Sequence, residues 1–171
     1  MPHLHRNGFV PRTLGAAFTI AVSSTSLIAQ PIQPTATGLW AKVEPSGKPD
    51  AWFRIFKCGG LYKGKIVKIF SKPGEDPSQW RCTGCERGQK DAPVLGLTFI
   101  KHMQRHGLTY EDGTILDPRD GSSYSAVMQL SADGQRLTVR GYLGIPLLGQ
   151  SEVWRRLPDN VPGVPDFQSC S

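Results

Sequence analysis

Long apolar runs are missing from this 171-residue chain, and so are blocks of like charge, internal repeats and any sustained helical stripe beyond its first residues. Each absence removes a class of protein. The uncharged stretch at 14–22 is about half of the roughly 20 residues that a membrane-crossing helix needs, so a membrane bundle is excluded and no stable membrane insertion is expected. The 20 Lys and Arg against 14 Asp and Glu give a net charge of +6, spread along the chain without the dense basic block of a nucleic-acid footprint. No nucleic-acid partner is expected. There is no Gly-x-Ser-x-Gly elbow, no Walker loop and no Gly-x-Gly-x-x-Gly after a strand. A catalytic role and a cofactor are therefore not expected either. Charged residues at 20%, hydrophobic residues at 39% and aromatics at 9% describe one ordinary globular domain with irregular ends.

Those ends carry recognisable signals. Residues 1–29 begin with His3, His5, Arg6 and Arg12, continue through the uncharged stretch and finish in small residues up to Ala29, the grammar of a secretory leader. Its removal would leave 18 basic and 14 acidic residues, a net of +4, in a periplasmic or secreted protein. Residues 30–37, with Pro31 and Pro34, read as a linker, and residues 158–171, with Pro158, Pro162 and Pro165, as a flexible tail. About 120 residues remain between them, enough for one core and too few for two domains.

Within 38–157, apolar and polar residues alternate at period two in short runs broken by Gly, Pro and Asp. This predicts strands at about 39–43, 51–57, 61–70, 96–102, 108–116, 122–130, 136–142 and 151–157. In 122–130, Tyr124, Ala126, Met128 and Leu130 share one face; in 136–142, Leu137 and Val139 alternate with Thr138 and Arg140. Eight antiparallel strands at this spacing predict an all-β fold, a closed up-and-down barrel, with a sandwich as the alternative. A barrel of eight strands is just wide enough to be filled by side chains or to hold one small ligand. One long, Cys-containing loop, 71–94, stands apart from the strands.

The four cysteines permit three fully paired connectivities. Cys82-Thr-Gly-Cys85 favours a local disulfide in an oxidising compartment. With His102 and His106 the same pair nearly meets a zinc spacing. However, sixteen residues intervene, and alternation in a strand-like run would split the histidines between faces, so no metal is assigned. Cys58 and Cys170 either pair or leave a free or intermolecular thiol. Asp112, Asp117, Asp120 and Glu111 lack the EF-hand spacing and read as turn formers. Glu44, Asp50 and Glu152 would serve a paired-carboxylate site only by converging in space, and nothing in their spacing marks them out. Aromatic residues on most strands leave two readings open: plain core packing, or a cavity for an apolar ligand whose candidate lining is Trp40, Phe53, Tyr124 and Tyr142.

In order and spacing, several segments resemble one family. They are Gly38-Leu-Trp40, Cys58-Gly-Gly-Leu-Tyr-Lys-Gly-Lys-Ile66, Leu95-Gly-Leu97 and Gly113-Thr-Ile-Leu-Asp-Pro-Arg-Asp-Gly121 followed by Tyr124, then Leu137-Thr-Val-Arg-Gly-Tyr-Leu-Gly-Ile-Pro-Leu-Leu-Gly149 with Trp154 and Arg156. This set is similar to the bacterial domain of unknown function 2147 over nearly all of 38–157. The resemblance implies an exported, lipocalin-like barrel that takes a small hydrophobic or amphiphilic molecule, by analogy of fold alone, and it brings no catalytic residues. It also implies structural roles for Gly38, Trp40, Trp154 and Arg156 (or Arg155), with the arginine stacked on Trp40 to close the barrel's base. Tyr110 stands where the family commonly has Trp, and Gln150 where it commonly has Arg. Two alternatives accompany this reading: a filled barrel that meets an envelope partner through loop 71–94, and a zinc protein using Cys82, Cys85, His102 and His106.

Overall fold

The computed structural model describes residues 33–86, 88–165 and 170. The expected leader lies outside them, as do residues 166–169 and 171 of the expected tail. The strands are β1 (Gly38–Val43), β2 (Pro49–Cys58), β3 (Leu61–Ile69), β4 (Thr98–His106), β5 (Thr109–Leu116), β6 (Ser123–Leu130), β7 (Arg136–Tyr142) and β8 (Gln150–Leu157). Each pairs antiparallel with its neighbour in sequence, and β1 also pairs with β8, so the sheet closes into an eight-stranded barrel. The described residues contain no α-helix, only short 3-10 turns at Pro77–Gln79 and Pro146–Leu148.

Alternation decides what faces inward. On β6 and β7, Ala126, Met128, Leu130, Leu137 and Val139 are buried, and their paired partners are Gly141, Val139 and Leu137 across the ladder. β4 and β5 depart from strict period two. His102 and Asp112 adopt positive φ (62° and 59°), and each adds a step, so that two residues rather than one separate the core-facing positions Ile100 and Met103 on β4 and Tyr110 and Gly113 on β5. This is why alternation placed the end of β4 at His102, whereas the strand runs on to His106.

The barrel's middle is filled by side chains. Phe53 sits between Phe99 and Trp154, with ring centroids at 4.9 and 4.3 Å, and Tyr62 meets Tyr110 edge-on at 4.8 Å. At Gly113 even a methyl group has no room, because it would collide with Met103 Sδ and the Lys101 carbonyl. Aromatic pairs of this kind add about 0.5–1.5 kcal/mol each beyond the area they bury.

The base of the barrel is closed by a strap, residues 33–37. Arg156 lies 4.3 Å over the Trp40 ring and donates to the carbonyls of Gly134 (2.6 Å), Thr37 (2.8 Å) and Thr35 (2.5 Å). Trp40 Nε1 donates to the Ala36 carbonyl at 2.8 Å, and the Ala36 N–H donates to the Tyr110 hydroxyl at the same distance. Arg105 reaches the Pro34 carbonyl at 2.8 Å. Gly38, at φ 131°, is required here: a Cβ would stand 2.7 Å from Arg156 Nη1. The segment after Leu157 is held at two points. Asp159 accepts from the Leu39 N–H at 3.1 Å and pairs with Arg54 at 3.4 Å, and Cys170 forms a disulfide with Cys58, 112 residues away in sequence.

Candidate functional site

At the opposite end, two features meet. On one side the loop between β3 and β4 folds over the barrel as a lid. The Cys82–Cys85 disulfide is formed, as the spacing predicts, and Cys82, Cys85, Val94 and Leu97 join the hydrophobic core. Cys82 N–H donates to the Ala92 carbonyl and Val94 N–H to the Trp80 carbonyl, both at 3.0 Å, so the loop is internally laddered despite its prolines.

On the other side the barrel wall splits. β1 and β8 pair at Leu39↔Leu157, Trp40↔Arg156 and Ala41↔Arg155, and the pairing goes no further. β8 stays with β7 from Arg136↔Arg155 to Gly141↔Gln150, and β1 stays with β2 as far as Val43↔Pro49. The two strands therefore part above Ala41, leaving an open cleft of about 500 Å³ lined by Lys42, Val43, Glu44, Pro45, Asp50, Ser151, Glu152 and Val153. Lys42 spans it, at 3.1 Å from Asp50 and 2.7 Å from Glu152.

This lysine answers to opposing influences. Burial alone would lower its pKa, but the hydrogen bonds and charges of Glu152 and Asp50 outweigh that and hold it above the ordinary value of 10.5. Glu152 also accepts from Trp154 Nε1 at 3.1 Å, so the polar cleft is wired to the aromatic stack beneath it. Nearby, Arg119 grips Asp117 through paired hydrogen bonds, which keep that carboxyl below its ordinary 3.8 and push Arg119 up.

The candidate cavity residues fall in separate places. Trp40 is wholly buried under Arg156, and Phe53 belongs to the central stack. Tyr124 lies opposite Ile115 toward the lidded end and is half-buried. Tyr142 pairs with Ser125 and so shares the outward parity of Thr138 and Arg140, which corrects its assignment to an interior cavity. Alternation along 136–142 already required this, since Leu137 and Val139 are the inward pair. Trp154 is buried in the stack beside Phe53.

The zinc alternative is overturned. Both thiols of Cys82 and Cys85 are consumed in their disulfide, His102 and His106 are exposed on β4, and His106 lies 3.9 Å from Glu111. No cluster of metal-ligating side chains is found among the described residues.

Sequence reasoning named Glu44, Asp50 and Glu152 without a reason to join them. The missing member was Lys42, which joins Asp50 and Glu152, whereas Glu44 lines the same cleft and accepts from Ser46 Oγ instead. The signal of Lys42 was its parity: two positions from Trp40, it must point to the same side of β1 as an inward residue.

A closed, antiparallel, eight-stranded barrel with a belted base and a split, lidded mouth is a lipocalin-like architecture. The chain belongs to the family described as an uncharacterized protein conserved in bacteria (DUF2147), whose model matches residues 38–156. No curated protein matches it. Among solved structures it is similar to protein HP1028 from the human pathogen Helicobacter pylori, described as belonging to the lipocalin family. The two share 16% identity over 74% of this chain and 85% of the other, with a TM-score of 0.60, a likeness of fold alone.

Proposed function

We propose that this chain is an exported, non-catalytic binding protein for a small amphiphilic molecule, held at the split mouth rather than in the barrel's middle. The observation that carries this reading is the cleft where β1 and β8 part, since the interior below it is occupied by Phe53, Phe99, Trp154 and Met103. A lipocalin-like barrel supports small-molecule binding by analogy, and the leader-like composition of residues 1–29 supports a periplasmic or secreted location. The cleft offers ionic groups at Lys42, Asp50 and Glu152 and apolar wall at Val43, Pro45 and Val153. A ligand with a polar head and a short apolar body satisfies both.

Native mass spectrometry of protein purified gently from its own host tests this. The expected spectrum carries a lipid-fragment-sized adduct that is lost in Lys42→Met and Glu152→Gln and kept in Tyr142→Ala. A bare polypeptide mass from the wild type, under conditions that keep the fold, refutes it.

The filled interior also favours a second reading, in which the barrel is a scaffold and loop 71–94 meets an envelope protein. Trp80, exposed on that loop, is its natural contact. In that case Trp80→Ala abolishes capture of the partner and leaves thermal stability nearly unchanged.

A further inference from the structure

We propose that the outer face of the β7–β8 hairpin docks on an anionic phospholipid bilayer, with residues 143–148 entering the headgroup layer. The connection from Gly141 to Gln150 contains no Asp, Glu, Lys or Arg. Its aliphatic side chains stand in solvent: Leu143 is 67% exposed, Ile145 55%, Leu147 81% and Leu148 76%, with Val153 beside them on β8 at 52%. Apolar side chains concentrated on one tip of a barrel whose core is otherwise well buried mark a contact surface.

Charge selects the partner. Outward positions on the hairpin are Arg136, Thr138, Arg140 and Tyr142 on β7, and Ser151, Val153 and Arg155 on β8. All three charges are arginines. The hairpin's only acid in these strands, Glu152, turns inward to Lys42. The flanking strands add no charge to the face, since β6 presents Ser123, Ser125, Val127 and Gln129 outward, and the outward-parity positions Leu39 and Ala41 of β1 are uncharged and buried. Acidic residues return in the turns, Asp133 before β7 and Glu44 after β1. A basic stem behind an apolar tip complements phosphate headgroups over acyl chains.

The loop is also built to lose water cheaply. Arg140 donates to the carbonyls of Pro146 (2.5 Å) and Leu147 (3.0 Å) and to Ser151 Oγ (2.7 Å). The N–H groups of Ile145, Leu148 and Gly149 bond the carbonyls of Leu143, Ile145 and Pro146 at 3.0–3.2 Å. Backbone groups satisfied inside the loop do not have to be stripped of solvent one by one on entering an interface. Tyr142, at the loop's foot, is an amphipathic ring of the kind that sits at headgroup level.

Flotation of the protein, in the form its host accumulates, with phosphatidylethanolamine–phosphatidylglycerol vesicles against pure phosphatidylcholine tests the proposal. Wild type should float with the anionic vesicles and far less with the neutral ones. Leu147→Asp with Leu148→Asp should cut flotation by at least about tenfold, with an unchanged melting temperature because both side chains are already in water. Arg136→Gln and Arg155→Gln should each cost up to about fivefold, and raised salt should mimic them. A wild type that ignores anionic vesicles, equal flotation on both vesicle types, or flotation indifferent to the two aspartates overturns it. A dimer that those aspartates convert to monomer, with no vesicle binding, also overturns it and makes the face a contact between copies.

Discussion

At the base of the barrel one arginine lies over a buried indole and donates to three carbonyls. At the mouth one lysine bridges two carboxylates across a gap. Both are single cations holding β1 to β8, and they do opposite work. Arg156 has the planar fork to stack and to donate in several directions at once, and its surroundings are partly dry, so that burial pulls its pKa down. Lys42 is a point charge near water, worth little as glue but easily re-partnered. The same pair of strands is therefore welded at one end and only latched at the other, which leaves a place for a ligand without weakening the core.

The sharpest way to break this contrast is at the weld. Trp40→Ala should lower unfolding free energy by about 3–5 kcal/mol in urea titration, because it opens a cavity and removes the stacking partner of Arg156. Next, Arg156→Ala should cost about 2–3 kcal/mol by orphaning the carbonyls of Gly134, Thr35 and Thr37. The mirror-image change Lys42→Met should cost less than about 1 kcal/mol. Equal losses at the two positions would erase the distinction between weld and latch.

The smallest effect is with pH. The hydrogen bonds from Arg119 hold Asp117 below 3.8, so its contribution is complete above that value and disappears as pH falls through the lower folded value. Lys42, raised above 10.5, contributes fully below 10.5 and loses its contribution only in stronger alkali. Thermal midpoints should thus be insensitive to these two groups between about pH 5 and 9, with an acid limb of a few tenths of a kcal/mol that Asp117→Asn flattens.

Period two made β6 and β7 legible almost residue by residue, since Ala126, Met128, Leu130, Leu137 and Val139 all face one core. It failed at His102 and Asp112, because a bulge resets parity and neither residue announces a positive φ. The local disulfide was readable from its spacing. Cys58–Cys170 was not, because nothing in separation by 112 residues encodes proximity. The strap was equally hidden: Pro34, Thr35, Ala36 and Thr37 act through backbone groups, which carry no signature of residue type. At the mouth, the carboxylates were visible as residues but not as a set, for want of the lysine that assembles them.

The seam also joins the first strand to the last. β2 with β3, and β4 through β7, can zip together as hairpins between near neighbours in the chain, while β3 meets β4 across the lid loop. The ring shuts only when Leu39, Trp40 and Ala41 find Leu157, Arg156 and Arg155, across almost the whole domain. Closure of the cylinder is then its longest-range strand pairing, and the indole–guanidinium pair that secures the finished base sits on the one seam whose loss would leave an open ribbon with two sticky edges.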